Sequence, residues 1–192
     1  MTEQGNLPTR RVNISTQKML GGIGSILILL SWVPGIGIIS SIVGFVLWLV
    51  SMYQLSNILG KPSVFQKVLI GFILNVAGIL IAFAFGLTAG IASFASMGNE
   101  TGAILGLGLG VVIAAIVAYV IIVVSFYFYK QAYEILSLEI PQNLFKIAGL
   151  LMFIGAIAII LFGLGGLLIF VGYIVLAVAF FTAPSEVEVQ GT

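Results

Sequence analysis

The chain contains no cysteine, no histidine and no aspartate. Disulfides and thiol chemistry are therefore excluded, as is an imidazole to ligate a metal or shuttle protons near neutral pH. Charge is scarce as well, at 7% of the 192 residues against about a quarter in a soluble domain. The net charge of +1 says little, because in an apolar chain the placement of charges matters more than their sum.

Apolar sequence fills the space. Hydrophobic residues make up 61% of the chain, and the mean hydropathy is +1.28. The run "MLGGIGSILILLSWVPGIGIISSIVGFVLWLVSMY", Met19 to Tyr53, is uncharged and far longer than the roughly 18 residues that mark a membrane-crossing helix. As one straight helix it would measure about 52 Å, against a hydrocarbon core of about 30 Å. Pro34-Gly35 divides it: proline lacks the amide donor and turns the preceding residue away from helix, and Gly35 permits a reversal. The sequence thus predicts a hairpin of two short spans, with a re-entrant pair as the alternative.

The same reading along the chain predicts spans over residues 16–33, 36–53, 68–96, 103–129, 147–162 and 167–183. The expected fold is all-α, a polytopic membrane helical bundle of six transmembrane helices in three hairpins. A tail over residues 1–15 precedes the membrane domain, 16–183, and a second tail over 184–192 follows it. Ser15 is the expected N-cap of the first span, and Lys18 is expected to reach back to the interface. A cleaved signal peptide is disfavoured, because no Ala-x-Ala-like site separates the first two apolar runs.

Basic residues give the orientation. Arg10, Arg11 and Lys18 precede span 1, Lys61 and Lys67 lie between spans 2 and 3, and Lys130 and Lys146 flank the passage from span 4 to span 5. All seven fall on one side, and the opposite connections carry only Glu100. The positive-inside rule then predicts a multi-pass protein of the cell membrane with both termini cytoplasmic. Four spans with re-entrant outer hairpins would keep the same sidedness.

The outer hairpins resemble each other. Laid without a gap, Lys18 to Tyr53 and Lys146 to Phe181 pair Gly21 with Gly149, Gly35 with Gly163, Gly37 with Gly165 and Gly44 with Gly172. Such a repeat is parallel, unlike the inverted repeats of alternating-access transporters. "KQAYEILSLEIPQNLFK" is expected to extend span 4, or to form a short interfacial helix, ending near Pro141.

Three segments, "LGGIGSILILLSWVP", "FYFYKQAYEILSLEIPQNLFKIAGLLMFIGAIAII" and "YIVLAVAFFTAP", resemble an uncharacterised family of archaeal and bacterial integral membrane proteins, domain of unknown function 996. The resemblance implies a prokaryotic membrane protein and carries over no activity and no site residue.

Candidate chemistry is thin. Apart from Lys18 at the edge of the first, no charged residue lies within a predicted span, where proton relays and ion-coupled transporters place theirs. Asn75 is the strongly polar side chain deepest in a span, about 12 Å along the axis from Lys67, and is expected to join neighbouring helices. Ser40, Ser41, Ser93, Ser96 and Ser125 are expected to pack and to bond back to the backbone. Glu134 is expected to pair with Lys130 four residues earlier, and Glu100 lies too far from Glu134 and Glu139 for an acid–base pair. "GLGLG", at Gly106 to Gly110, has neither the preceding strand nor the spacing of a nucleotide loop. Trp32, Trp48, Tyr53, Tyr127 and Tyr129 are expected at the membrane interfaces. The glycines at 86 and 90, and at 102, 106 and 110, form stripes expected to pack against other helices or a second subunit.

No catalytic, cofactor-binding or metal-binding residue emerges, and no enzyme and no cofactor are expected. The expected partners are the lipid bilayer and either a second copy or another membrane protein meeting the Gly-rich faces, with no nucleic acid. The sequence favours a non-enzymatic interaction or accessory component; the alternative is a channel or facilitator for a small solute.

Overall fold

The structure is a computed structural model that describes residues 9–95, 100–161 and 164–190, with side chains for 10–88, 111–161 and 164–189. Strand β1 (Thr9–Asn13) leads into helices α1 (Ser15–Leu29), α2 (Gly37–Ile58), α3 (Pro62–Ala95), α4 (Glu100–Glu139), α5 (Leu144–Ala158) and α6 (Leu164–Thr182), and strand β2 (Glu186–Gln190) follows. The chain is helical as expected. Four of the helices contain stretches long and apolar enough to cross a bilayer: Gly37–Ile58, Pro62–Thr88, Val111–Glu139 and Leu164–Thr182. α1 and α5 have 15 residues each, about 22 Å of helix.

The Pro34-Gly35 break does what its chemistry requires. A 3-10 turn, Leu30–Trp32, ends α1, and Val33, the residue before proline, is extended with φ −88° and ψ 118°. Gly35 has φ +92°, and α2 starts at Gly37. At the other end of α2 the chain turns within Leu59, Gly60 and Lys61. The Lys61 amide donates to the Ser56 carbonyl at 2.9 Å and the Gly60 amide to the Asn57 carbonyl at 3.2 Å. With Gly60 at φ +64°, this is a Schellman motif. Pro62 then opens α3, at a helix start where its missing N–H is not needed.

Several boundaries differ from the expectation. α3 starts at residue 62 rather than 68, whereas α4 runs on to Glu139, which is the extension of span 4 toward Pro141 that was one of the two expected readings. The connections on the basic side are therefore only the short turns 59–61 and 140–143, because the polar stretches beside them continue the helices. Ser15 is the first helical residue rather than the cap. The side chain of Asn13 receives the Ser15 amide at 2.9 Å, and Ile14 holds the cap position.

The terminal tails form an unforeseen element. β1 and β2 pair antiparallel, with Arg10 opposite Val189, Arg11 opposite Glu188 and Val12 opposite Val187. Ile14 and Val187 are buried in the core. The Lys18 ammonium donates to the Ala183 carbonyl at 2.9 Å, placing a cation at the C-terminal end of α6. Both described ends of the chain therefore meet at one end of the bundle, together with the turns at 59–61 and 140–143.

Each helix packs on the next in chain order, and α6 returns to pack on α1. Within this arrangement the hairpins α3–α4, α5–α6 and α1–α2 make the most extensive contacts. The core lies toward the end bearing the termini, where Leu55, Leu59, Val64, Leu136, Ile140, Phe145 and Phe180 are almost wholly buried. Toward the opposite end, Ile38, Ile39, Leu80, Phe83, Ile113 and Leu164 are exposed. An apolar surface of that extent is untenable in water and suits lipid.

Candidate functional site

Two places gather polar groups, one inside the bundle and one on its flank. The interior site starts from glycine. A Cβ on Gly24 of α1 would lie 2.6 Å from the Trp48 backbone nitrogen and 2.7 Å from the Gly44 carbonyl oxygen of α2. Backbone thus meets backbone, as small residues allow between helices in lipid. The Trp48 side chain packs edge-on against Tyr129 at 5.7 Å and Tyr133 at 6.4 Å between ring centroids. Phe45 lies 5.5 Å from Trp48 and 4.9 Å from Phe72, carrying the aromatic contact to α3.

Trp48 and Tyr129 were expected at an interface, and they belong to the core instead, with 3% and 7% exposure. Trp32, Tyr53 and Tyr127 are exposed, in keeping with an interfacial position. The Trp48 indole N–H is buried without an acceptor among the described residues.

The buried polar residues among those described are four serines. Ser25 donates to the Gly21 carbonyl at 2.8 Å, Ser51 to Gln17 at 2.7 Å, Ser56 to Lys61 at 2.8 Å and Ser125 to Gly71 at 2.7 Å. Ser51 ties α2 to α1, and Ser125 ties α4 to α3. Ser40 and Ser41 bond back to carbonyls of their own helix, as expected. Ser93 and Ser96 lie outside the residues whose side chains are described. Asn75 is half-buried on α3. Replacing Asn75 by Leu is expected to cost no more than about 2 kcal/mol, the upper range for a polar contact between membrane helices, and to leave expression and fold intact. Circular dichroism and a detergent melting curve would check this, and loss of the folded protein would show that Asn75 has a larger role.

The second place is a groove of about 330 Å³ on the outer flank of α3 and α4. Lys67 of α3 lines it, with Tyr127, Lys130, Gln131 and Glu134 of α4. Ile135 and Leu138 complete it toward the Pro141 turn. The α4 residues recur at spacings of three and four, so one helix face supplies them. The Lys67 ammonium donates to the Gln131 side-chain oxygen. The expected Lys130–Glu134 ion pair is present at 3.0 Å. Glu139, at the end of α4, pairs with Lys61 at 2.9 Å. Sequence reasoning found the pair within α4 but not Lys67, which lies 64 positions from its partner Gln131.

The glycine stripes are only partly accounted for. Among the described residues a Cβ on Gly86 would meet nothing within 4 Å, so the expected packing of Gly86 on another helix is not found there, and the alternative of a subunit interface is untouched. The side chains at 90, 102, 106 and 110, including "GLGLG", lie outside those described. Close glycine contacts between α3 and α4 occur at Gly71, where a Cβ would lie 2.8 Å from the Tyr129 ring, and others occur within the outer hairpins. A Cβ on Gly155 would lie 2.8 Å from the Gly165 carbonyl oxygen, and one on Gly172 would lie 2.6 Å from the Met152 side chain.

Comparison with known proteins places this architecture in a family. No solved structure matches the chain. An uncharacterised protein of Methanocaldococcus jannaschii is 33% identical over 179 residues, covering 93% of this chain and 97% of the relative. The family model described as a protein of unknown function, DUF996, matches residues 40–174, and the chain belongs to that family.

Proposed function

We propose that this protein is a non-catalytic component of the cell membrane that works by contact with other membrane constituents rather than by chemistry or conduction. The observation that carries this reading is how the interior is filled at the end bearing the termini. Tyr133, Phe145, Phe180, Met52, Leu136 and Leu176 are each less than 2% exposed there. The four buried serine hydroxyls donate to backbone carbonyls rather than lining a path. Contact with a second copy or a membrane partner would use exposed apolar surface such as Phe83, Gly86 and Leu87 on α3. The Trp48 N–H, buried without an acceptor among the described residues, favours the other reading, a facilitator for a small solute, since a polar solute could satisfy it. Reconstituted into vesicles, the protein is expected to form a defined complex and to conduct no small neutral solute above background; selective flux would reverse the assignment.

The finer topology belongs to the same proposal. Six spans, including the short α1 and α5, would put all seven Lys and Arg on the cytoplasmic side. The pairing of β1 with β2 supports an even number of crossings, because it holds both ends of the chain together. Single cysteines at Thr9, Asn57, Asn99, Asn143 and Gln190 are expected to react with an impermeant thiol reagent in intact cells only at Asn99. External labelling at Thr9 or Gln190 would refute this topology.

A parallel repeat of the outer hairpins is supported by matching environments. Gly44 sits against the α1 backbone at Gly24 and Ile28, and its counterpart Gly172 sits against α5 at Ala148 and Met152. Trp48 and Met52 are buried, as are their counterparts Leu176 and Phe180.

A further inference from the structure

We propose that the groove between α3 and α4 binds the phosphate headgroup of an anionic membrane lipid, held by Lys67 and Lys130. The inference rests on the chain being embedded in a bilayer and not on what the bundle does there. α4 shows why a lipid fits. Ile113, Ile116, Val120 and Val124 are exposed along one face, and the same face continues into Tyr127, Lys130 and Gln131. Ile70, one turn into α3 from Lys67, is exposed as well. The surface changes from apolar to aromatic to cationic over about two turns, the order in which a lipid presents its acyl chain, its glycerol and its phosphate.

The donors and the charge agree with that order. A lysine ammonium has three donors. Lys67 gives one to Gln131, and Lys130 gives one to Glu134. Glu134 offsets the charge of Lys130, whereas Gln131 is neutral and leaves that of Lys67. The groove therefore carries one excess positive charge, which favours an anionic headgroup over a zwitterionic one. Its volume of about 330 Å³ leaves room for a phosphate with its glycerol. The apolar stripe gives the acyl chains a place, which a free phosphate ion would not use.

The test is the lipid dependence of stability in the full-length chain, purified in a neutral detergent. Phosphatidylglycerol, phosphatidylcholine and inorganic phosphate would each be titrated while the melting temperature is followed. Phosphatidylglycerol is expected to raise it, with half the effect at about thirtyfold lower concentration for the unaltered chain than for K67Q/K130Q. R10Q, a change on the terminal sheet, should behave like the unaltered chain. If the double variant does not fold, K67Q and K130Q singly should each raise the required concentration about fivefold. An unchanged requirement in these variants would overturn the proposal. So would an equal effect of phosphatidylcholine, which means that charge is not read, or full stabilisation by inorganic phosphate, which means a free-anion site. None of these outcomes depends on flux or oligomeric state, so the site and the proposed role can fail separately.

Discussion

Replacing Gly24 with leucine is expected to prevent α1 from seating on α2, leaving little folded protein in detergent. Even Gly24→Ala should cost at least about 3 kcal/mol, the upper part of the range for overpacking. The added Cβ would stand 2.6 Å from the Trp48 nitrogen and 2.7 Å from the Gly44 oxygen, both backbone atoms that cannot rotate away. Only separation of the two helices relieves the contact, and it would pull Gly44 from Ile28 and shift Trp48 against Tyr129. Helix propensity, worth up to about 1 kcal/mol in favour of alanine, does not offset this. Gly86 is the matched control, since a Cβ there meets nothing within 4 Å among the described residues. Gly86→Ala should melt with the unaltered protein. Equal melting temperatures for Gly24→Ala and Gly86→Ala would remove the packing role assigned to Gly24.

That contrast shows what could be read in the sequence. Both glycines lie in apolar helices, and Gly86 even belongs to a four-residue stripe with Gly90. Spacing identifies a face, but only the course of the neighbouring helix decides whether the face is covered. Helix ends with strong local chemistry were legible: Pro34-Gly35 makes its turn, and the helix leading to Pro141 ends at Glu139. The extension of α4 through Lys130 to Glu139 was one of two readings of that segment. Less legible was the extension of α3 through Pro62 to Lys67, where polar residues suggested a connection. Those residues are amphipathic, and they pair side chain to side chain, as Lys61 does with Glu139.

The terminal sheet carried a signal that composition obscured. "EVEVQ" alternates with the period of a strand, and "RRVNI" offers Val12 and Ile14 in the same rhythm with complementary charge. Five-residue strands are too short to be convincing alone, and their partners lie at opposite ends of the chain. The groove was legible by halves. Lys130 and Glu134 announce themselves at i, i+4, whereas Lys67 joins them only because α3 and α4 form a tightly packed hairpin.

The aromatic interior yields the second large effect. Trp48→Ala is expected to cost about 3–5 kcal/mol, the range for removing a large buried aromatic side chain. The loss should be near the upper end, because the indole bridges α2 to α4 through Tyr129 and Tyr133 and to α3 through Phe45. Trp48→Phe separates volume from polarity. The phenyl ring keeps much of the edge-on packing and removes an N–H that is buried without an acceptor among the described residues. Losing an unsatisfied donor recovers about 1–3 kcal/mol, which offsets much of the smaller ring's lost contact. Trp48→Phe should therefore melt close to the unaltered chain, and Trp48→Ala far below it. A Trp48→Phe loss as large as that of Trp48→Ala would mean that the indole N–H has an acceptor in the folded protein. The same result would remove the support that the indole N–H lends to the solute reading, since no solute would then be needed to satisfy it. Melting curves of the three proteins in one detergent decide between them.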